Sequence, residues 1–154
     1  MDELSDDERR AAKAAKRGTN SGRHLLNTKV TSTSADEVTG TAECPSELSG
    51  GPGVAHGGWT SFLFDEIMGH AANMDGATIC VTTVLEVRYR KPVPVLKELT
   101  YRAWITKREG RRKFISAEVR LAANDTLLSE ASGVWVATAP HHYEKLDSTL
   151  GVNP

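Results

Sequence analysis

Apolar residues in this chain follow two different periods, and the switches between them mark out its elements. From His24 to Cys44 they recur about every second residue, which predicts strands over His24–Ser34 and Glu37–Cys44 around an Ala35-Asp36 turn. Pro45–Ala55, rich in glycine and proline, reads as a loop. Over Gly57–Met74 the pattern changes: Trp59, Phe62, Leu63, Phe64, Ile67, Met68, Ala71 and Met74 make a segment apolar nearly all round. Such a segment is a helix enclosed by protein, and Asp75-Gly76 ends it. Alternation then returns in Thr78–Tyr89, Glu98–Thr106, Lys113–Ala122 and Leu127–Ala137, broken by Pro92 and Pro94, by a turn at Gly110 and by Asn124-Asp125. The last three segments, joined by short turns, read as an antiparallel meander. The expected fold class is α+β: about six antiparallel strands wrapped around one long central helix.

The two ends stand apart from this pattern. Ser5 and Glu8 form a capping-box pair, which predicts a helix over residues 6–17 that stops at Gly18. Its uncharged face is mostly alanine and has little to bury. Residues 1–23 are therefore expected to be an arm and linker, 24–140 the folded domain, and 141–154 a polar, loose tail.

Charge and cysteine content narrow the classes of function. Lysine and arginine total 19 against 20 for aspartate and glutamate, a net charge of −1 that argues against a dedicated nucleic-acid binder. No apolar run approaches the length that spans a bilayer, and the opening MDELSDDERR carries no secretory pattern. Cys44 and Cys80 are the only thiols, so a reducing, cytoplasmic setting without disulfides is expected. The five histidines show no ligand spacing, and there is no CxxC, GxSxG, P-loop or GxGxxG, so neither metal nor cofactor is expected.

Candidate chemistry gathers where the loop meets the helix. His56-Gly57-Gly58 leads straight into an apolar helix that carries two adjacent carboxylates, Asp65 and Glu66. The first N–H groups of a helix lack partners and act as ready donors, while a carboxylate on an apolar helix is costly without a task or a partner. Glu66 shares a face with His70 and Asn73, at spacings of four and seven, and reads as structural.

The order of elements, Gly53-x-x-His56-Gly57-Gly58, Asp65 nine residues after the histidine, and Thr83-x-Leu85-x-Val87-x-Tyr89-x-x-Pro92 together resemble the hotdog fold. Within it, residues 25–139 are similar to acyl-CoA thioesterases of the phenylacetyl-CoA and 4-hydroxybenzoyl-CoA type. The resemblance implies hydrolysis of an acyl-CoA, with the Gly58 N–H as chief oxyanion donor beside Gly57, Asp65 as general base or nucleophile, and His56 as a positioning residue. A small hydroxyl on the following strand would hold water or substrate. Thr82 and Thr83 both qualify, but neighbouring strand residues face opposite ways and only one can serve. Distance from Pro92 favours Thr82, whereas the apolar alternation includes Thr83.

Trp59 and Phe62 would line the acyl site. Arg88, Arg90 and Lys91 are the candidates for the CoA phosphates, whereas the cluster Lys107, Arg108, Arg111, Arg112 and Lys113 reads as a solvated turn. A homo-oligomer is expected, a dimer with shared sites or a dimer of dimers. One departure stands out: Gly50 occupies the loop position where, by the resemblance, many relatives carry an asparagine or other polar side chain. Two other readings follow from the same residues: an acyl-CoA binding module without turnover, and an enoyl-CoA hydratase or dehydratase on the same fold.

Overall fold

The helix is the centre around which the rest of the chain closes. The structure, a computed structural model, describes residues 22–76 and 78–138. The N-terminal helix expected over 6–17 and the tail 141–154 lie outside those residues. Helix α1 (Gly57–Asn73) buries Trp59, Thr60, Leu63, Phe64, Ile67, Met68, Ala71 and Ala72. Its apolar circumference is thus used on most sides, as the sequence pattern requires.

Around it lie β1 (Lys29–Thr33), β2 (Glu37–Ala42), β5 (Ile79–Tyr89), β6 (Leu99–Glu109), β7 (Arg112–Leu121) and β8 (Thr126–Thr138). They form one antiparallel sheet in the order β1-β2-β6-β7-β8-β5. The meander β6-β7-β8 is present, β2 joins it at one side, and β5 crosses over the helix to pair with β8 at the far edge. A long helix held in the curl of a six-stranded antiparallel sheet is the hotdog fold, as expected from the motif.

Two local expectations are corrected. Arg23–Leu26 is a 3-10 turn rather than the start of a strand. Leu26 is fully buried, and the Trp59 indole N–H donates to the Leu25 carbonyl at 2.8 Å, which fastens the turn to α1. The expected loop at 45–55 contains a 3-10 turn (Ser46–Leu48) and a small hairpin, β3 (Ser49–Gly51) with β4 (Val54–Ala55). That hairpin holds the entry to α1: His56 N–H donates to Leu48 C=O at 2.7 Å, and Ala55 N–H to Val93 C=O at 2.7 Å.

The sheet's inner face packs on α1 through Val38, Ala103, Ile115, Ala117, Val119, Ala131 and Trp135, all buried. Gly40 pairs with Tyr101 across β2 and β6, and a Cβ at Gly40 would fall 2.3 Å from the tyrosine oxygen. Glycine is therefore required there to admit the ring, whose burial pushes the phenol's pKa up. The outer face is charged. Glu37 takes both Arg102 Nε (2.7 Å) and a terminal guanidinium nitrogen (3.1 Å), which holds its carboxyl below the ordinary value, while Arg102 also lies 4.3 Å over Trp104.

The C-terminal end of α1 is closed from two directions. The Asn73 side chain accepts from Cys80 N–H at 2.7 Å and donates to Gly69 C=O at 2.9 Å, so it joins the last helical turn to β5. Lys113 sends its ammonium to Ala72 C=O and to the Asp75 carboxylate, both at 2.8 Å, with its side chain 12% exposed. A cation on the final carbonyls matches the negative end of the helix dipole. Lys113 is thus a helix cap rather than part of a solvated turn. Lys113→Met, which keeps the stem and removes the charge, is expected to cost about 1–2 kcal/mol, read as a lower urea midpoint at unchanged slope.

Candidate active site

A β-bulge decides which threonine faces the helix. Along β5, Thr82 pairs with Trp135 and Val84 pairs with Val134, which leaves Thr83 as an extra residue. A bulge inserts one residue and so shifts the in–out alternation that continues beyond it. Thr82 consequently shares the inner face with Leu85, Val87 and Tyr89, although their spacing says otherwise. Its hydroxyl donates to Asp65 Oδ1 at 2.7 Å. Thr83 is turned away and donates to the Val134 carbonyl at 2.9 Å. Both hydroxyls therefore have hydrogen-bond acceptors, and the geometry brings only Thr82 to Asp65.

Asp65 is half-buried and lines an open cleft of about 1040 Å³ along α1. Glu66, on the next position of the helix, holds Arg23 Nε at 2.6 Å. That ion pair ties the 3-10 turn to the helix, a structural role with a partner other than the helix-face residues the spacing suggested. Asn73 is committed to Cys80 and Gly69 as described above.

At the helix start, His56 is the N-cap residue, and its Nδ1 accepts the Gly58 N–H at 2.8 Å. Nδ1 is therefore unprotonated, and a neutral ring carries its proton on Nε2. A Cβ on Gly58 would sit 2.9 Å from His56 Nδ1, so glycine admits this cap. The Gly58 N–H is thereby engaged, whereas no acceptor among the described residues faces the Gly57 N–H. Tyr89 fixes the same turn from β5: its hydroxyl donates to Gly57 C=O at 2.6 Å and lies 2.8 Å from Ser61 Oγ. Since the phenol has one proton, Ser61 is the donor in that second bond. Gly50 packs flush on the cap, and a Cβ there would lie 3.1 Å from His56 Cα.

The remaining candidates scatter. Trp59 is 3% exposed and sits in the core, held by its bond to Leu25. Phe62 packs half-buried against the core. Arg88 and Arg90 point to the outer face, where they pair with Glu86 (2.8 Å) and Glu130. Arg90 holds the Glu130 carboxyl below its ordinary value. Lys91 lines a smaller cleft of about 330 Å³ with Tyr89, Pro92 and Thr60. Reading from sequence alone missed Tyr89 and Trp135 as site residues, although Tyr89 was visible as the last member of the inner-face alternation. No group of three or more potential metal ligands occurs among the described residues.

Within one chain the two halves of this arrangement are well separated. Gly57 and Asp65 lie eight positions apart on α1, about 12 Å along its axis at the ordinary helical rise. A single carbonyl cannot reach the Gly57 N–H and the Asp65 carboxylate of the same helix.

This fold and these residues define a hotdog protein with a carboxylate–threonine pair on the central helix. Residues 52–127 match the thioesterase superfamily model. A mouse acyl-coenzyme A thioesterase, THEM4, is 31% identical over 93 residues, which is 60% of this chain and 40% of that protein. The chain thus aligns with less than half the length of this curated relative. Among solved structures, zebrafish thioesterase superfamily member 2 superposes with a TM-score of 0.74 at 17% identity, covering 88% of this chain and all of that one. The E. coli PaaI protein from the phenylacetic acid degradation operon gives 0.72 at 15% identity, covering 82% and 91%. The match to the thioesterase superfamily spans 76 of the chain's 154 residues, and the solved structures share its hotdog fold. No helix among its described residues is long and apolar enough to cross a membrane.

Proposed function

We propose that this chain is an acyl-CoA thioesterase that hydrolyses an acyl-CoA to free acid and CoA. The observation that carries this reading is the 2.7 Å bond from Thr82 to Asp65 on the central helix. The hydroxyl occupies Asp65 Oδ1 and leaves Oδ2 for chemistry. Asp65 then takes a proton from water as the water attacks the thioester carbon, or attacks that carbon itself to form an anhydride that water opens. In either route the C–S bond breaks and CoA leaves as a thiolate, a good leaving group since thiols ionise near pH 8.5.

The negative charge that develops on the carbonyl oxygen needs a donor, and Gly57 N–H is the unengaged one at the helix start. Gly58 N–H, the donor implied by the family resemblance, is held by His56 and acts through the cap instead. His56 thus positions the loop. Because the two halves lie about 12 Å apart on one helix, the site is completed between two copies: Asp65 and Thr82 from one, the His56-Gly57-Gly58 turn from the other. The open edge of β5 supports this pairing. It is an 11-residue strand at the sheet's margin, with Val81 38%, Val84 53% and Tyr89 51% exposed, and such an edge invites another strand. The functional unit is accordingly a dimer, with residues 24–140 as its catalytic domain and 1–23 as an arm.

Lys91, which lines the smaller cleft, serves the CoA phosphates, while Arg88 and Arg90 reach them by exchanging their carboxylate partners. Phe62 offers an apolar wall for the acyl group, and Trp59 supports that wall from beneath. A cytoplasmic setting fits two unpaired, buried thiols; burial alone pushes Cys44 up to about 11, so it is inert at neutral pH.

The paired variants Thr82→Val and Thr83→Val test the site directly. Thr82→Val is expected to lower the rate of thiol release by about ten- to a hundredfold, the order associated with one lost positioning hydrogen bond on a catalytic group. Thr83→Val should stay within about threefold, since its hydroxyl only bonds the Val134 carbonyl. Equal losses in the two variants would contradict this assignment.

A further inference from the structure

Trp135 is a core residue with an idle polar atom. It is 1% exposed, yet its indole N–H donates to no described residue. Buried indole N–H groups ordinarily have a partner. Among the described residues, Thr60 Oγ1 is the one fully buried side-chain N or O atom without a partner. The idle Nε1 of Trp135 therefore keeps an opening, and the cleft that Trp135 lines with Asp65 and Thr82 is where it opens.

Gly69 makes room for that opening. A Cβ at Gly69 would lie 3.6 Å from Trp135 Nε1, so a side chain there would cover the N–H. Gly69 is one turn beyond Asp65 on the same face of α1, about 6 Å along the axis. Trp135 is also the strand partner of Thr82, which holds Asp65. The cleft thus has a carboxylate at one point and a bare neutral donor one helical turn further on. Met74, Ile79 and Cys80 line the same space together with His70, Asn73 and the Arg23–Glu66 ion pair. The Asp65 carboxylate one turn from the indole N–H disfavours a second carboxylate on the acyl group at that point.

We propose that the Trp135 indole N–H, uncovered by Gly69, selects acyl groups bearing an uncharged acceptor oxygen about one helical turn, or four to five C–C bonds, beyond the thioester. This inference rests on the thioesterase reading for the placement of the carbonyl at Asp65. A site with a donor left unpaired discriminates against an analogue that lacks the acceptor, because the donor is then dehydrated without a partner. An oxo or ether oxygen at that distance satisfies it.

The test compares hexanoyl-CoA with 5-oxohexanoyl-CoA as substrates, and their thioether analogues as ligands, on the full chain, Trp135→Phe and Gly69→Ala. Gly69→Ala covers the N–H with a Cβ at ordinary contact distance and improves helix propensity, so it tests the inference even if Trp135→Phe folds poorly. The wild-type chain is expected to favour the oxo compound by about five- to tenfold in kcat/KM and in affinity. Both variants should bring that ratio close to one. A wild-type ratio near one, or variants that weaken both compounds equally, would overturn the proposal. The thioether affinities read the ratio independently of turnover. A preserved affinity ratio without thiol release would sink the hydrolase reading and leave the Trp135 selection standing.

Discussion

Asp65→Asn is expected to lower thiol release from the best acyl-CoA by about a thousandfold, within the range removed with a general base or nucleophile. The substitution is nearly isosteric, and an amide oxygen still accepts the Thr82 hydroxyl that now reaches Asp65 Oδ1 at 2.7 Å. An amide, however, neither takes a proton from water nor attacks a thioester. Folding should be untouched, because Asp65 is half-buried on the cleft side of α1 and outside the apolar core. The diagnostic pattern is a collapsed rate with an unchanged thermal midpoint. A variant that retains a tenth or more of the wild-type rate would remove Asp65 from the chemistry.

Gly133→Ala should produce the largest loss of stability and carry activity down with it. A Cβ at position 133 would stand 2.4 Å from the Val84 carbonyl and 2.6 Å from the Trp135 ring. The first of these is backbone on the neighbouring strand, so β5 must move away. Overpacking of this kind costs about 1–3 kcal/mol or more. The displaced segment is the bulge itself, where Thr82 pairs with Trp135 and Val84 with Val134. Relaxation there withdraws Thr82 from Asp65, so the rate measured well below the melting temperature should fall by about tenfold or more. Gly51→Ala is the control: a Cβ there meets nothing within 4 Å, and stability should stay within about 0.5 kcal/mol. Equal behaviour of the two variants would show that the bulge does not govern the site.

The parts of the molecule legible in its sequence are those set by local pattern. An apolar circumference from Trp59 to Met74 is intelligible only as an enclosed helix, and alternation marked the strands to within a few residues. His56-Gly57-Gly58 at the helix entry and Asp65 further along it were readable for the same reason, since both depend on short spacings. What escaped depends on register and on partners distant in sequence. Thr82 and Thr83 could not be separated because an inserted residue breaks the period on which such counting relies. For Arg88 and Arg90 the spacing does not reveal their carboxylate partners: the same parity places them on the outer face beside Glu86 and Glu130. Lys113 belonged to a basic run, yet the turn of the β6–β7 hairpin brings it to the end of α1. Nothing in the sequence pattern sets Trp135 apart, because an unpartnered N–H is a property of its surroundings. The strand assigned to His24 and its neighbours failed because Trp59, 34 positions away from Leu25, draws that segment into a turn.

Gly50 acquires a definite meaning in the folded chain. Position 50 lies against the backbone of His56, and an asparagine there would press on the N-cap that holds Gly58. The hairpin therefore closes flush on the helix entry, and in the proposed reaction the polar work falls to His56 and the Gly57 N–H. This arrangement is compatible with turnover, and it places the burden on the carboxylate–threonine pair.

The most direct measurement is the appearance of free thiol and free acid from a panel of acyl-CoAs supplied to the wild-type chain. At least one acyl-CoA should release CoA and acid in equal amounts over many turnovers, at a rate proportional to enzyme. Two results would contradict the account. Thermal stabilisation by acyl-CoA with no thiol release would define a binding module, since a ligand that binds only the folded state raises its stability without chemistry. Loss of enoyl-CoA absorbance with the thioester intact would define a hydratase.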